Sequence, residues 1–353
     1  MNVLGLRAVA WIRGLLLACA CLISLPASAA AGITTPPFER VELANGTVLL
    51  LMERHDVPLI AFDALVRGGA RLDEPDRFGT ASLFSALLEK GAGSRDAFQF
   101  AQTVASVGGS IETEVSTEWI SVSGSFLARD RKLMVELLAD MLQRPKLDDA
   151  ELQALRARHI EFIRAAKDSD RSALTPIYGS AALFGAHVYG NPVFGSEDSL
   201  ARITHADIQR FYTQHVGGDR LIIAVAGDFK AAEMKRLLRD AFGKWRPAAQ
   251  PLPEVTAPKA VPGRRVLLVD APDSVQSYFW MGTLGVARND PRRAALDLAN
   301  TLFGGRFTSM LNSELRIRTG LSYGAGSRFD RLQLSGHWAM SSFTRGSQSS
   351  GRS

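Results

Sequence analysis

Six histidines, at positions 55, 159, 187, 205, 215 and 337, are the first residues to test for chemistry, and their spacing decides what they can do together. Two imidazoles grip one metal ion from a helix when they stand three or four residues apart, because those positions share a face. No two of the six are that close, so neither His-Glu-x-x-His nor its inverse can be written anywhere in the chain. Zinc hydrolysis would need a noncontiguous site gathered from scattered His and Glu. Ser82 and Ser85 are candidate nucleophiles by type, but no Gly-x-Ser-x-Gly elbow surrounds either. The two cysteines, Cys19 and Cys21, both lie in an apolar N-terminal stretch, so a processed chain is expected to carry neither thiol nor disulfide.

That stretch has the build of a leader. Arg7 and Arg13 precede the apolar run from Gly14 to Leu25, and Pro26-Ala-Ser-Ala-Ala-Ala31 supplies the small residues of a cleavage site. Residues 1–30 are expected to be a signal peptide, cut after Ala29 or Ala31 and too short to span a bilayer. An exported, periplasmic location follows as an expectation. Leu16-Leu-Ala-Cys19 also resembles a lipobox, which would instead anchor the chain through Cys19. Lysines and arginines number 41 against 36 acidic residues, and the +5 excess is scattered rather than gathered. A nucleic-acid partner therefore has little support.

Strands and helices alternate through the remainder. Thr47–Met52 and Leu59–Val66 read as strands, and Thr80–Lys90 as a helix with apolar residues at 81, 84, 87 and 88 that stops at Gly91-Ala-Gly93. Ala97–Val107 is a second helix, followed by a period-two hairpin through Ile111–Val115 and Ile120–Gly124. Asp148-Asp149 can cap a long helix with Leu152, Leu155, Phe162, Ile163 and Ala166 along one side. Leu221–Ala226 is a fully apolar strand, and Ala231–Phe242 an amphipathic helix. Prolines at 247, 251, 253, 258 and 262 mark 246–263 as a stiff linker between a unit at 37–245 and a second at 264–353. The second unit reads as strands Arg265–Asp270 and Ser277–Met281, helices Arg292–Leu302 and Ser309–Arg318, and strands Leu321–Ser327 and Leu332–Met340. Hairpins mixed with packed helices point to the α+β class.

Several segments, taken in order, resemble the M16 family of zinc peptidases, which includes pitrilysin, insulysin and the mitochondrial processing peptidase. They are Gly68-Gly-Ala-Arg-Leu-Asp-Glu-Pro75, Gly79-Thr-Ala-Ser-Leu-Phe-Ser-Ala-Leu-Leu-Glu-Lys-Gly91, Tyr189-Gly-Asn-Pro-Val-Phe-Gly-Ser196, Leu302-Phe-Gly-Gly305 and Leu315-Arg-Ile-Arg-Thr-Gly-Leu-Ser-Tyr323. The resemblance implies two domains of LuxS/metallopeptidase-like fold, each a mainly antiparallel sheet packed with helices. It places Ser82 and Ala86 where the family has zinc-binding histidines, Ser85 where it has the water-activating Glu, and Phe162 near its third ligand. This chain is then expected to bind no metal of its own. Arg316 and Tyr323 match in type and spacing the family pair that reaches across the cleft, a phenol for the oxyanion and a guanidinium for substrate carbonyls. The blander reading makes Arg316 a helix-surface ion-pair residue and Tyr323 a half-buried strand residue. Gly304 and Gly305 resemble a glycine-rich substrate contact of inactive subunits, or else form a helix-entry turn.

One branch of the family divides this labour between two chains. The resemblance implies an inactive-type subunit that pairs with a zinc-bearing M16 partner and acts on peptides in trans, with zinc in the partner. A noncatalytic scaffold or peptide-binding protein is the alternative. The first unit spans 209 residues and the second only 90, and 341–353 is polar and aperiodic. A truncated second domain, with exposed sheet edges and bare helix faces, is expected, and a nonfunctional gene product is the third reading.

Overall fold

A computed structural model describes residues 36–169, 171–271 and 274–345. The expected leader and residues 346–353 of the polar tail lie outside the described residues. No helix among the described residues is long and apolar enough to cross a membrane.

The first part is built on a six-stranded sheet. Its strands are β1 (Glu39–Glu42), β2 (Val48–Glu53), β3 (Leu59–Arg67), β6 (Ser110–Val115), β7 (Trp119–Leu127) and β8 (Leu221–Gly227); a two-stranded ribbon, β4 (Gly91–Ala92) with β5 (Arg95–Asp96), stands apart. The sheet order is β1-β2-β8-β3-β7-β6, antiparallel except where β2 runs parallel to β8. β8, read as wholly apolar, is the shared inner strand between β2 and β3. A strand between two ladders, with helices over it, has no wet face to supply polar residues.

The helices are α1 (Thr80–Leu87), α2 (Ala97–Ser106), α3 (Arg131–Gln143), α4 (Asp149–Ser169), α5 (Thr175–Phe184), α6 (Glu197–Arg202), α7 (His205–His215) and α8 (Ala231–Phe242). Seven of the eight residues of α1 are buried, between the sheet and helices α4 and α7. Phe84 lies at its centre, 1% exposed, with its ring 5.5 Å from Phe211 and 5.9 Å from Tyr212 of α7. The start of α1 is fixed by Asp73, whose carboxylate accepts from the backbone N–H of Gly79 (2.7 Å) and Ala81 (2.8 Å). Such acceptors satisfy the donors a helix leaves unpaired at its first turn. Gly79 itself sits at φ 97°, with Leu200 where a Cβ would be, so the helix entry needs glycine.

The second part is a three-stranded antiparallel sheet, β9 (Gln276–Leu284), β10 (Ala325–Asp330) and β11 (His337–Arg345), in the order β10-β11-β9. Helix α9 (Arg293–Phe303) follows β9, and the short α10 (Met310–Asn312) runs into a π-helical turn at Ser313–Arg318. Four expectations are corrected here. Arg265–Asp270 pairs with no strand among the described residues, since a strand needs a ladder partner as well as propensity. β10 starts at Ala325 because Ser322 turns the chain, its hydroxyl bonding the backbone of Gly324. β11 starts at His337 because Leu332–Gln333 is engaged elsewhere: Leu332 O accepts from Arg288 N, and Gln333 N donates to Glu118. Residues 341–345, read as aperiodic tail, continue β11 against Gln276–Trp280.

The two parts meet on polar and aromatic contacts. Glu118, 6% exposed, accepts from Tyr189 Oη (2.5 Å), Arg288 Nη2 (2.7 Å) and the backbone N–H of Gln333 (2.8 and 3.0 Å). A buried carboxylate is tolerable when charge-assisted donors surround it in this way. Burial, and then the adjacent Glu118, push the Tyr189 hydroxyl well above its ordinary range. Alongside, Trp280 of β9 lies against Gly179 of α5, where any Cβ would meet the indole at 2.4 Å.

Candidate functional site

Helix α1 forms one wall of an open cleft of about 470 Å³. Ser82, Ser85 and Ala86 stand three and four residues apart on one face of α1, and all three line the cleft. Opposite them are Thr113–Val115 of β6, the edge strand, together with Leu155, Arg158 and His159 of α4. Glu89 ties α1 to that strand by accepting from the Thr113 N–H (2.8 Å) and hydroxyl (2.6 Å).

Two polar atoms of this cleft have no partner among the described residues: Ser85 Oγ, on a residue 3% exposed, and His159 Nδ1. Burial, and then the neighbouring Arg158, hold the His159 imidazole below its usual range, so it is neutral at pH 7. His159 is a cleft residue that spacing could not find, because nothing local in the sequence marks it. Phe162 follows one turn later on the same face of α4, and it is 70% exposed. Its expected place among the core residues of that helix is corrected: Leu152, Leu155 and Ala166 are the buried ones. Glu161, beside it, pairs with Arg164.

Arg316 and Tyr323 do come together. Arg316 Nη1 donates to the Tyr323 carbonyl at 2.9 Å, and its guanidinium carbon stands 4.3 Å from the Tyr323 ring centre and 5.0 Å from that of Phe307. Arg316 lies on the π-helical turn, and Tyr323 precedes β10, 75% exposed rather than half-buried. The Tyr323 hydroxyl has no hydrogen bond among the described residues, and Arg316 makes no ion pair there. Neither residue lines the α1 cleft. Gly304 and Gly305 close the C-terminus of α9, both N–H groups donating to Asn300 O. A helix-exit turn thus replaces the helix-entry turn expected. Gly304 also lies against β10, where a Cβ would meet Ser327 Oγ at 2.3 Å.

Sequence comparison matches two successive stretches of the chain to two models of one family. Residues 54–197 fit the model described as insulinase (peptidase family M16), and residues 202–350 the model described as the peptidase M16 inactive domain. The chain belongs to the M16 family.

Among its M16 relatives, a protein of Streptomyces coelicolor named as an uncharacterized zinc protease is 28% identical over 294 residues, 80% of this chain and 62% of that one. A Helicobacter pylori protein named as a non-peptidase homologue is 23% identical over 311 residues, 86% of this chain and 69% of that one. In structure, the M16 inactive domain from Pseudomonas fluorescens superposes with a TM-score of 0.78 at 24% identity, covering 89% of this chain and 76% of that chain. The chain spans about three fifths of the length of several curated relatives it matches.

The zinc in those names asks for imidazole, thiolate or carboxylate donors. Around α1 the groups on offer are the hydroxyls of Ser82, Ser85 and Thr113, one imidazole, Glu89 already bonded to Thr113, and the exposed Glu114 of the edge strand, with Lys90 and Arg158 beside them. No three His, Cys, Asp or Glu side chains among the described residues gather so as to hold a metal. The donor set of this M16 cleft does not fit zinc.

Proposed function

We propose that the chain is an M16 subunit without a zinc site of its own, which pairs with a zinc-bearing M16 chain and contributes Arg316 and Tyr323 to the shared chamber. The observation that carries this reading is the combination of an intact α1 cleft, furnished with Ser82, Ser85 and Ala86, and an exposed Tyr323 held by Arg316. Hydrolysis of a peptide builds negative charge on the scissile carbonyl oxygen, and a positioned phenol can donate to it. Arg316 acts first on Tyr323: a carbonyl hydrogen bond and a cation over the ring restrict the loop that carries the phenol. Zinc and the activated water belong to the partner in this scheme, the substrates are peptides, and the leader takes this chain to the periplasm.

The test is reconstitution with a zinc-bearing M16 chain. Tyr323→Phe in the complex is expected to lower kcat by about 10²-fold with assembly unchanged, the scale of one lost oxyanion donor. Full activity in that variant would remove Tyr323 from the chemistry. A second reading, a peptide-binding or scaffold protein, is favoured by the engagement of Arg316 with Tyr323 and Phe307, which is a sufficient structural use for its charge. It predicts that Arg316→Ala loosens the 313–323 segment while the activity of any complex is unchanged.

A further inference from the structure

Two polar groups in the α1 cleft are built into the fold without a use inside it. Ser85 is 3% exposed and lines the cleft, yet its Oγ bonds to nothing among the described residues, and the same holds for His159 Nδ1. Burying such a group without a partner is unfavourable, so native folds rarely keep one unless a ligand, ion or water meets it. The charges beside them are also uncommitted. Arg158 and Lys90 line the cleft, and neither side chain makes an ion pair or a hydrogen bond among the described residues. Of the two carboxylates there, Glu89 is bonded through Oε1 to the N–H and hydroxyl of Thr113, and Glu114 is exposed on the edge strand. Two unpartnered groups able to donate, next to two unpaired cations, are the surroundings a single carboxylate requires. Leu155 and Phe194 give the same cleft an apolar side. At about 470 Å³ it has the size of a small-ligand site.

We propose that the α1 cleft binds the carboxyl-terminal end of a short peptide. The terminal carboxylate accepts from Ser85 Oγ and His159 Nδ1, Arg158 and Lys90 balance its charge, and an apolar last side chain lies against Leu155 and Phe194. Small rotamer changes at Ser85 and His159 bring their enclosed atoms to the ligand. The His159 imidazole, neutral at pH 7, can hold its proton on Nδ1 and donate it without adding charge. Glu89 and Glu114 set the selectivity: a second carboxylate, on an acidic last residue, would meet them and be repelled. Every group in the site lies between residues 82 and 194. The site therefore needs neither Arg316 nor Tyr323, and its failure would leave the pairing proposed above untouched.

The probes are N-acetyl-Ala-Ala-Leu with a free carboxyl end and the same peptide as its C-terminal amide, titrated into the full chain at pH 7 by calorimetry. The free acid is expected to bind saturably and the amide about tenfold or more weaker, the scale of a charge-assisted hydrogen bond. N-acetyl-Ala-Ala-Asp should likewise bind about tenfold weaker than the leucine peptide. Ser85→Ala should weaken binding of the free acid about tenfold with the melting temperature unchanged or raised, because the hydroxyl it removes has no partner in the fold. Arg158→Gln, at an exposed position, should weaken binding to the same extent, and it keeps the test open if Ser85→Ala disturbs α1. The free acid should also move the His159 ring nitrogen signals in NMR, a response that a purely structural role would not give. Absence of saturable binding overturns the proposal. Equal affinity for acid and amide overturns it too, by making the cleft a site for the peptide chain rather than its end. So does binding unchanged in both variants, which would put the carboxylate elsewhere.

Discussion

Helices α1 and α9 occupy matching places in the two halves, and their surroundings set them apart. Each follows a nine-residue strand of an antiparallel sheet. Yet α1 is buried over seven of eight residues, beneath α4 and α7, whereas α9 has none buried among its eleven. The periodicity of a helix states which face seeks cover; it does not supply the cover. The first half has α4, α7 and β8 to close over its cleft, and the second, among the described residues, has no counterparts to them. The asymmetry also separates the two candidate sites: a cleft at α1 inside a packed wall, and an exposed Arg316/Tyr323 pair on a part with few covering layers.

Truncating a side chain in each helix measures that difference. Phe84→Ala should cost about 3–5 kcal/mol in denaturant unfolding, because the surrounding rings cannot collapse into the space. Leu298→Ala should change stability by about 0.5 kcal/mol or less. Equal losses would break the comparison. Glu118→Ala probes the join between the halves: it leaves Arg288, Tyr189 and the Gln333 N–H without their acceptor, and about 2–4 kcal/mol should be lost. A loss within error would mean that the aromatic contacts around Trp280 carry the join alone.

An effect smaller than those at Phe84 and Glu118 is the pH dependence that His215 gives the first half. Burial, and then the Arg220 charge, depress the His215 imidazole to about 4 from an ordinary 6.5, and its Nδ1 has no partner among the described residues. Between those values the unfolded chain binds the extra proton, so stability rises with pH through the window and is lost on acidification from about 6.5 towards 4. Allowing for solvent screening of a partly exposed ring, the loss is about 1–2 kcal/mol. His215→Gln should lessen the rise of urea midpoints between pH 4 and 6.5, leaving the part that His159 and His337, also held low by burial, contribute with the same sign; an unchanged slope would assign the effect to other groups.

What was legible in the sequence were features with local causes. Helices at Thr80 and Ala97 were marked by apolar spacing and glycine stops, and the apolar run 221–226 reads as an inner strand. The lack of a metal motif needed only a count of histidine separations. Features made by distant pairing were not legible. The strand propensity of 265–270 is real, but no strand among the described residues pairs with it. Glu118 is buried by residues about 70 to 215 positions away. His159 reaches the cleft through the packing of α4 on α1. Arg316 and Tyr323 were found by resemblance; their contact is a product of the π-helical turn and the bend at Ser322.

Metal content of the purified chain decides whether the α1 wall can hold zinc. The purified chain, dialysed against zinc and assayed by mass spectrometry and peptide cleavage, should retain well under one equivalent and hydrolyse nothing. One tightly held zinc per chain, lost on Ser82→Ala or His159→Ala together with peptidase activity, would contradict the account.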